Sequence, residues 1–339
     1  METMKTVVER LKAAKRVAVF THQRPDPDAL GSQAAMGWIL RELGASEIFL
    51  MQFAEVPRQY RFLVEPPTDK DGKPLWELTP WNAQWADGIG GAVDTILVVD
   101  TCTYNQLEPA AVFLKAQREK VLAIDHHLSR DDLAAIILAD PKAAACVEIL
   151  WELAKTAGVI INQGLAGALF AGLVSDTGWF RFDSVTERSH RMAAELTPLV
   201  NNAAMYEKLQ QNETRPKLGL MERALASLRW GGNDRVACMS LRQQDFTQTG
   251  ANQSQTEYLV DMPMIVSGVE VVILLTEMTD SRVRGSLRSK RDVDVNKVCR
   301  KFDGGGHAKA AGCRLNGPLE TARERIMQAV EDELTNSLI

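Results

Sequence analysis

Histidine occurs five times in the 339 residues, and four of the five sit in three short segments beside aspartates or glycines. The segments are Thr-His-Gln-Arg-Pro-Asp-Pro-Asp-Ala-Leu-Gly-Ser (21–32), Ile-Asp-His-His (124–127) and Gly-Gly-Gly-His-Ala-Lys-Ala-Ala-Gly (304–312). Imidazole and carboxylate together suit divalent cations of the manganese-to-zinc range. A glycine run beside His307 and Lys309 lets backbone amides and side-chain charge come close to an anion. The pattern predicts a metal-dependent enzyme acting on a phosphorylated substrate.

The metal candidates are His22, Asp26, Asp28, Asp100, the triplet Asp125-His126-His127, and Asp176. Each has a plainer reading when taken singly. Asp26 and Asp28 could shape a turn and cap a helix, and Asp125-His126-His127 could be an ordinary polar loop. Together they fall near the ends of successive apolar runs, which chance arranges rarely. Asp26, Asp28, Asp100 and Asp176 bring four negative charges, which two divalent cations would neutralise; without cations the carboxylates would repel and their pKa values would rise. Two cations about 3.5–4 Å apart can share a carboxylate and activate a water, so the expected chemistry is in-line hydrolysis of a phosphate ester.

Positioning these residues requires a sheet whose strand ends converge. Apolar runs at 17–20, 47–53, 95–100, 121–125 and 136–139 read as strands, and 29–43, 109–118, 143–157 and 165–174 as helices. Strands apolar on both faces and alternating with helices indicate an α/β fold with a doubly wound, mostly parallel sheet, in which ligands bind at the carboxyl edge. Residues 66–91, rich in Pro, Gly and Trp, read as an excursion from that sheet. The polar stretch 187–228 reads as a helical linker. Beyond it, strands at 235–242, 268–276 and 282–287 and helices at 293–302 and 320–338 indicate a second, smaller α/β domain. The expected division is 1–186, 187–228 and 229–339, with no internal repeat.

In the second domain Arg282, Arg284, Ser286, Arg288 and Lys290 alternate with Val283, Gly285, Leu287 and Ser289, so a strand puts the basic set on one face. Alone this would read as a solvated outer strand. Ahead of Gly304, Gly305, Gly306 and His307 it reads as a pocket for a second phosphate, with Arg284, Arg288 and His307 as cations and Ser286 as donor. Opposite the metal edge, such a pocket would suit substrates of a few nucleotides. His190 has no companion signal and reads as a surface residue, and Trp76, Trp81 and Trp85 read as core.

The composition, 45% hydrophobic and 24% charged, is that of a soluble globular protein, and 339 residues favour two domains. A net charge of −5 argues against coating long nucleic acid, though not against a short anion at a local basic patch. The five cysteines are odd in number and scattered, without a C-x-x-C pair. They point to a reducing compartment, and no signal-peptide or membrane-length apolar run is present. A cytoplasmic protein is expected.

His-x-x-Pro-Asp-x-Asp-Ala-x-Gly-Ser, Val-Val-Asp, Asp-His-His and Ser-Asp-Thr-Gly, followed by Gly-Gly-Gly-His, occur in the order seen in the DHH phosphoesterase superfamily, which nearly the whole chain resembles. The C-terminal signature is similar to the DHHA1 subtype of nanoRNase-type oligoribonucleases that also act on pAp, and it argues against the family's inorganic pyrophosphatases. The resemblance implies one metal held by His22, Asp26 and Asp100 and another by Asp28, Asp100, His126 and Asp176, with Asp100 bridging. It also implies that Asp125 orients a histidine and that His127 faces the scissile phosphate. One departure is visible: Ala145 and Cys146 stand where family members often carry Ser or Thr.

These readings converge on a manganese-dependent 3′–5′ exoribonuclease of RNAs about two to five nucleotides long that also removes the 3′-phosphate of pAp. A homodimer is a family-based expectation. Two alternatives stand beside it. One is a cyclic-dinucleotide phosphodiesterase, though relatives of that kind often carry sensory and membrane segments ahead of the core, and here the first catalytic strand comes early. The other is a non-catalytic nucleotide sensor, which should lack metal ligands; none of the six is missing.

Overall fold

The computed structural model describes residues 2–336. The chain divides into two compact units, one ending at Asn212 and the other starting at Glu213.

The first unit is built on strands β1 (Arg16–Phe20), β2 (Glu47–Gln52), β3 (Glu77–Pro80), β4 (Thr95–Val99), β5 (Val121–Asp125) and β6 (Ile136–Ala139). Its helices are α1 (Glu2–Ala13), α2 (Pro27–Glu42), α3 (Arg61–Val64), α4 (Ala83–Asp87), α5 (Ala111–Ala116), α6 (Cys146–Ala157), α7 (Gln163–Asp176), α8 (Glu187–Leu196) and α9 (Asn202–Gln210). The strands pair in parallel in the order β3-β2-β1-β4-β5-β6. Both faces are covered, and the two-residue period of the strands sorts their side chains between them. Val17, Val19, Leu97, Val99, Leu122 and Ile124 join the core under α1, α2, α6 and α7. Ala18, Phe20, Ile96, Val98, Val121 and Ala123 pack on the other side with Trp85, Leu107 and Leu114. The chain order reverses direction at β1 and β4, so the carboxyl ends of these neighbours flank the switch-point crevice where open α/β sheets bind ligands.

The structure corrects several element boundaries. The excursion 66–91 contains β3, which joins the sheet edge beside β2. The helix expected at 109–118 is a 3₁₀ segment, Tyr104–Ala110, followed by the short α5, because Pro109 supplies no amide for a regular helix. The helix expected from residue 143 begins at Cys146. The stretch read as a linker divides between the units. Met192, Leu196, Met205 and Leu209, spaced i,i+4 on α8 and α9, belong to the core of the first unit. Trp76 and Trp85 are buried, and Trp81 is half-buried with Nε1 donating to the Pro109 carbonyl.

The second unit carries a six-stranded mixed sheet in the order β11-β12-β10-β9-β8-β7. Its strands are β7 (Arg229–Gly231), β8 (Val236–Leu241), β9 (Val271–Glu277), β10 (Val283–Ser289), β11 (Gly305–His307) and β12 (Ala310–Leu315). Its helices are α10 (Arg215–Ala226), α11 (Gln243–Thr249), α12 (Val295–Arg300) and α13 (Leu319–Asn336). Only β8 and β9 pair in parallel. Strands β7, β11 and β12 were not anticipated; two of them are three residues long, too short for a periodic signal. The last two residues of the helix expected at 320–338 lie outside the described residues.

Candidate active site

The side chains at the carboxyl edge of the first sheet are placed by five elements: the ends of β1, β4 and β5, the start of α2 and the end of α7. Asp26 is the N-cap of α2, and its Oδ1 accepts the amides of Asp28 and Ala29, both at 3.0 Å. The capping reading is thus correct, and it engages only one of the two carboxylate oxygens. Asp28, in the first turn of α2, is fully buried. It accepts the amide of Cys146 through Oδ2 at 2.6 Å and that of Val147 through Oδ1 at 3.2 Å. These are the first amides of α6, whose own N-cap residue, Ala145, makes no side-chain cap. A carboxylate from α2 therefore caps α6, where the helix dipole favours negative charge.

This arrangement requires α2 and α7 to approach closely. A Cβ on Gly172 would stand 2.5 Å from Asp28 Oδ1, and one on Gly31 would stand 2.6 Å from the Ala168 carbonyl oxygen. Only glycine leaves room at either position.

Asp100 follows β4 in the left-handed conformation (φ 61°), which Asp tolerates better than most residues. Its buried carboxylate lies between two histidines, 3.4 Å from His22 Nε2 and 3.4 Å from His126 Nε2. Asp176, the last residue of α7, has Oδ2 3.4 Å from His126 Nε2, and Asp28 Oδ2 is 4.0 Å from the same nitrogen. The other ring nitrogen of His126 lies 3.2 Å from the Ala143 carbonyl. That acceptor places the proton on Nδ1 in the neutral ring and leaves Nε2 as a ligand atom. His127, half-exposed, donates from Nδ1 to Asp125 Oδ1 at 2.7 Å.

All six proposed ligands therefore meet at one edge. Two sets have ligand atoms within 4.8 Å of one another: His22, Asp26 and Asp100, and Asp28, His126 and Asp176. Asp100 reaches both through its two histidine contacts, and Asp100, His126 and His127 form a third such set. Asp100 Oδ1 and His126 Nε2 are buried without a hydrogen-bond partner, a costly condition that a cation between them would relieve. The donor set fits divalent metal.

The electrostatics agree. Burial first, and then Asp100 and Asp176, push the Asp28 carboxyl well above its usual range. Burial, Asp26 and Asp100 raise Asp176 to about 7. Burial would lower His126, but Asp100 and Asp176 outweigh it and lift the imidazole to about 9. Against its own burial, Asp100 is carried below the usual range by His126 and His22, whose ring nitrogens stand on either side of it.

The second unit has its own basic cavity, of about 870 Å³. Arg284, Ser286, Arg288 and Gly304 line it, together with Arg282, Arg314 and Phe302. The alternation along β10 buries Val283, Gly285, Leu287 and Ser289 and turns Arg284, Ser286 and Arg288 the other way. Arg284 donates to Thr256 Oγ1 at 2.6 Å, while its Nε is buried without a partner. Arg288 stands 3.5 Å from Asp261. Gly305, Gly306 and His307 do not line this cavity; they form the exposed edge strand β11. Lys290 instead donates to the Val266 carbonyl.

Arg314 was not foreseen. It lies on β12 directly opposite Arg284 on β10, and like charges in register repel, which an anion between them would relieve. Its signal was available in the alternation of Ala311, Cys313 and Leu315 with polar neighbours. His190 stacks on Phe180, with ring centroids 5.3 Å apart, and joins no ligand cluster among the described residues.

The sequence matches the DHH family, N-terminal domain, over residues 16–173 and the DHHA1 domain over residues 231–336. A protein of Thermus thermophilus named bifunctional oligoribonuclease and PAP phosphatase NrnA is 30% identical over 341 residues, covering 99% of this chain and 96% of its own. The chain belongs to the DHH family. As a DHH phosphoesterase it is a hydrolase of a metal-dependent class, and its acidic and histidine clusters could hold metal. The Bacillus subtilis protein of the same name is 27% identical, covering 92% of this chain and 93% of its own. The solved structure of an exopolyphosphatase-related protein from Bacteroides fragilis superposes with a TM-score of 0.83 at 20% identity, covering 100% of this chain and 98% of its own. That likeness shows that the two-domain DHH fold is shared. No helix among the described residues is long and apolar enough to cross a membrane.

Proposed function

We propose that this DHH phosphoesterase hydrolyses short oligoribonucleotides from the 3′ end to mononucleotides and removes the 3′-phosphate of pAp, using two divalent cations, with manganese as the metal. The observation that carries the proposal is the pair of ligand clusters, His22/Asp26/Asp100 and Asp28/His126/Asp176, meeting at Asp100. The names of relatives that span nearly the whole chain support the substrate class.

Bound there, two cations would supply an activated water and neutralise charge on the phosphoryl oxygens. The chain's own groups would do the rest. Asp125 fixes His127 through Nδ1, leaving Nε2 directed away from that bond and able to hydrogen-bond a phosphoryl oxygen or protonate the departing one. The hydrogen bond to Asp125 also raises the His127 pKa, which keeps that nitrogen a donor. Arg284, Ser286, Arg288 and Arg314 would hold the remainder of an anionic substrate, with Gly304 leaving backbone space beside them. Gly305, Gly306 and His307 remain proposed substrate contacts on their exposed strand. In this reading the compartment is the cytoplasm, where the five buried thiols, all free, would stay reduced.

The test is a product analysis with the full chain and Mn²⁺, offering pApA, pAp and cyclic di-AMP at equal concentration, with an EDTA control. Conversion of pApA to AMP with release of phosphate from pAp is the expected result. Preferential opening of cyclic di-AMP would transfer the protein to cyclic-dinucleotide turnover. Silence on all three substrates would favour a nucleotide-binding protein without catalysis.

A further inference from the structure

None of the six proposed ligands forms the loop 140–145, yet that loop touches two residues of the site and leads directly to the amides that hold a third. The Asp140 amide donates to the Asp125 carbonyl at 3.0 Å, and the Ala143 carbonyl meets His126 Nδ1 at 3.2 Å. Immediately after the loop, the amides of Cys146 and Val147 hold Asp28. The position of one loop therefore sets the orientation of a histidine ligand, an aspartate ligand and the segment bearing His127.

What holds the loop is a buried charge network. Glu148, with no exposed surface, accepts the Ala144 amide through Oε2 at 3.1 Å and the Ser189 hydroxyl through Oε1 at 2.5 Å. Arg188 bridges three carboxylates: Nη1 meets Asp140 Oδ2 at 2.5 Å, and Nε lies 3.5 Å from Glu148 Oε2 and 3.0 Å from Glu152 Oε1. Asp140 in turn accepts the Lys142 amide, closing the loop on itself. One arginine on α8 thus ties the start of the loop to the helix that follows it. Of its donors, Nη1 is hydrogen-bonded to Asp140, and Nε makes the two ion-pair contacts without a hydrogen bond.

We propose that Arg188 and Glu148 are positioning residues for the metal centre, holding loop 140–145 so that His126 and Asp28 present ligand atoms in register. The inference rests on the metal-dependent reading above. Outer-shell partners of metal ligands commonly govern affinity by about 10–100-fold, and that is the expected size here.

The experiment measures Mn²⁺ binding to the metal-free full chain by calorimetry, together with the melting temperature of the metal-free protein, for wild type, Arg188→Met, Arg188→Lys and Glu148→Gln. Arg188→Met should weaken Mn²⁺ binding by about 10-fold or more. Arg188→Lys should lie between it and wild type. Glu148→Gln, which keeps an acceptor for Ala144, should be milder than Arg188→Met. A network that serves only the fold would lower the melting temperature and leave Mn²⁺ affinity within twofold of wild type; that result overturns the proposal. If Arg188→Met does not fold, Ser189→Ala removes one bond to Glu148 and is judged by the same twofold criterion. Wild-type protein that binds no Mn²⁺ would overturn the metal-dependent reading itself, together with everything resting on it.

Discussion

Asp100→Asn is the sharpest test of the two-cluster reading, because Asp100 alone contacts a histidine from each cluster. Asparagine tolerates the left-handed backbone that Asp100 adopts, so the substitution changes charge and leaves conformation. In the metal-free protein the effects on stability oppose one another. Charges of like sign about 5 Å apart repel by roughly 3 kcal/mol at an effective dielectric near 20, and relief from Asp26, Asp28 and Asp176 would be stabilising. Loss of the contacts to His22 and His126, each at 3.4 Å, removes attraction of similar size. The net change should stay within about 2 kcal/mol, a shift of several degrees in melting temperature for a unit of this size. Catalysis has no such compensation, since both proposed cation sites lose a ligand. A fall in kcat/KM of about 10³-fold, close to 4 kcal/mol of transition-state stabilisation, is expected, with fewer than two Mn²⁺ bound in a calorimetric titration. Activity above a tenth of wild type in the folded Asp100→Asn protein would refute the shared-ligand reasoning.

The other predictions concern groups that the geometry ties to the same reading. Arg314→Ala should raise KM for pAp about 10-fold, as expected for loss of a charge-assisted bond worth about 1.5–3 kcal/mol, while Mn²⁺ affinity stays unchanged; an unaltered KM would remove Arg314 from the substrate pocket. Gly172→Ala should destabilise the protein by about 1–3 kcal/mol and weaken Mn²⁺ binding, because its methyl would press on Asp28; a stable variant with normal affinity would mean that α2 and α7 can separate freely. Mn²⁺ affinity should fall as pH is lowered from 8 to 6. In the metal-free protein His126, near 9, holds its proton across that range and Asp176, near 7, takes one up through it, and those protons must leave before the ligand atoms are available. Calorimetry in buffers of different ionisation enthalpy should then show proton release on binding, and a pH-independent affinity would contradict the cluster as described.

Much of the candidate site was legible in the sequence because His22, Asp100 and His126, three of the proposed ligands, follow strands that advertise themselves. Runs such as Thr95–Val99 and Val121–Asp125 are apolar on both faces, and their burial on both sides of a parallel sheet follows from composition alone. Once those runs are strands, His22, Asp100 and Asp125 must emerge at one edge, so local pattern and fold topology place them together. The basic face of β10 was legible for the same reason, since a two-residue period needs no tertiary knowledge.

Other features depended on which distant segments meet, and no local pattern encodes that. The pairing of Arg314 with Arg284 is a matter of register between β10 and β12. The capping of α6 by Asp28 joins residues 118 positions apart and replaces a cap that Ala145 cannot give. The strand Glu77–Pro80 has only four residues and earns its place by pairing with β2. The polar look of 187–228 concealed four apolar residues, Met192, Leu196, Met205 and Leu209, that dock α8 and α9 on the first unit. The sequence by itself determined the types of the candidate ligands and the sheet edge that gathers them, because side-chain chemistry and strand period are local. The tertiary structure decided the distances, the orphaned Asp100 and His126 atoms and the charge network behind them, because hydrogen-bond geometry and burial exist only after remote segments have packed.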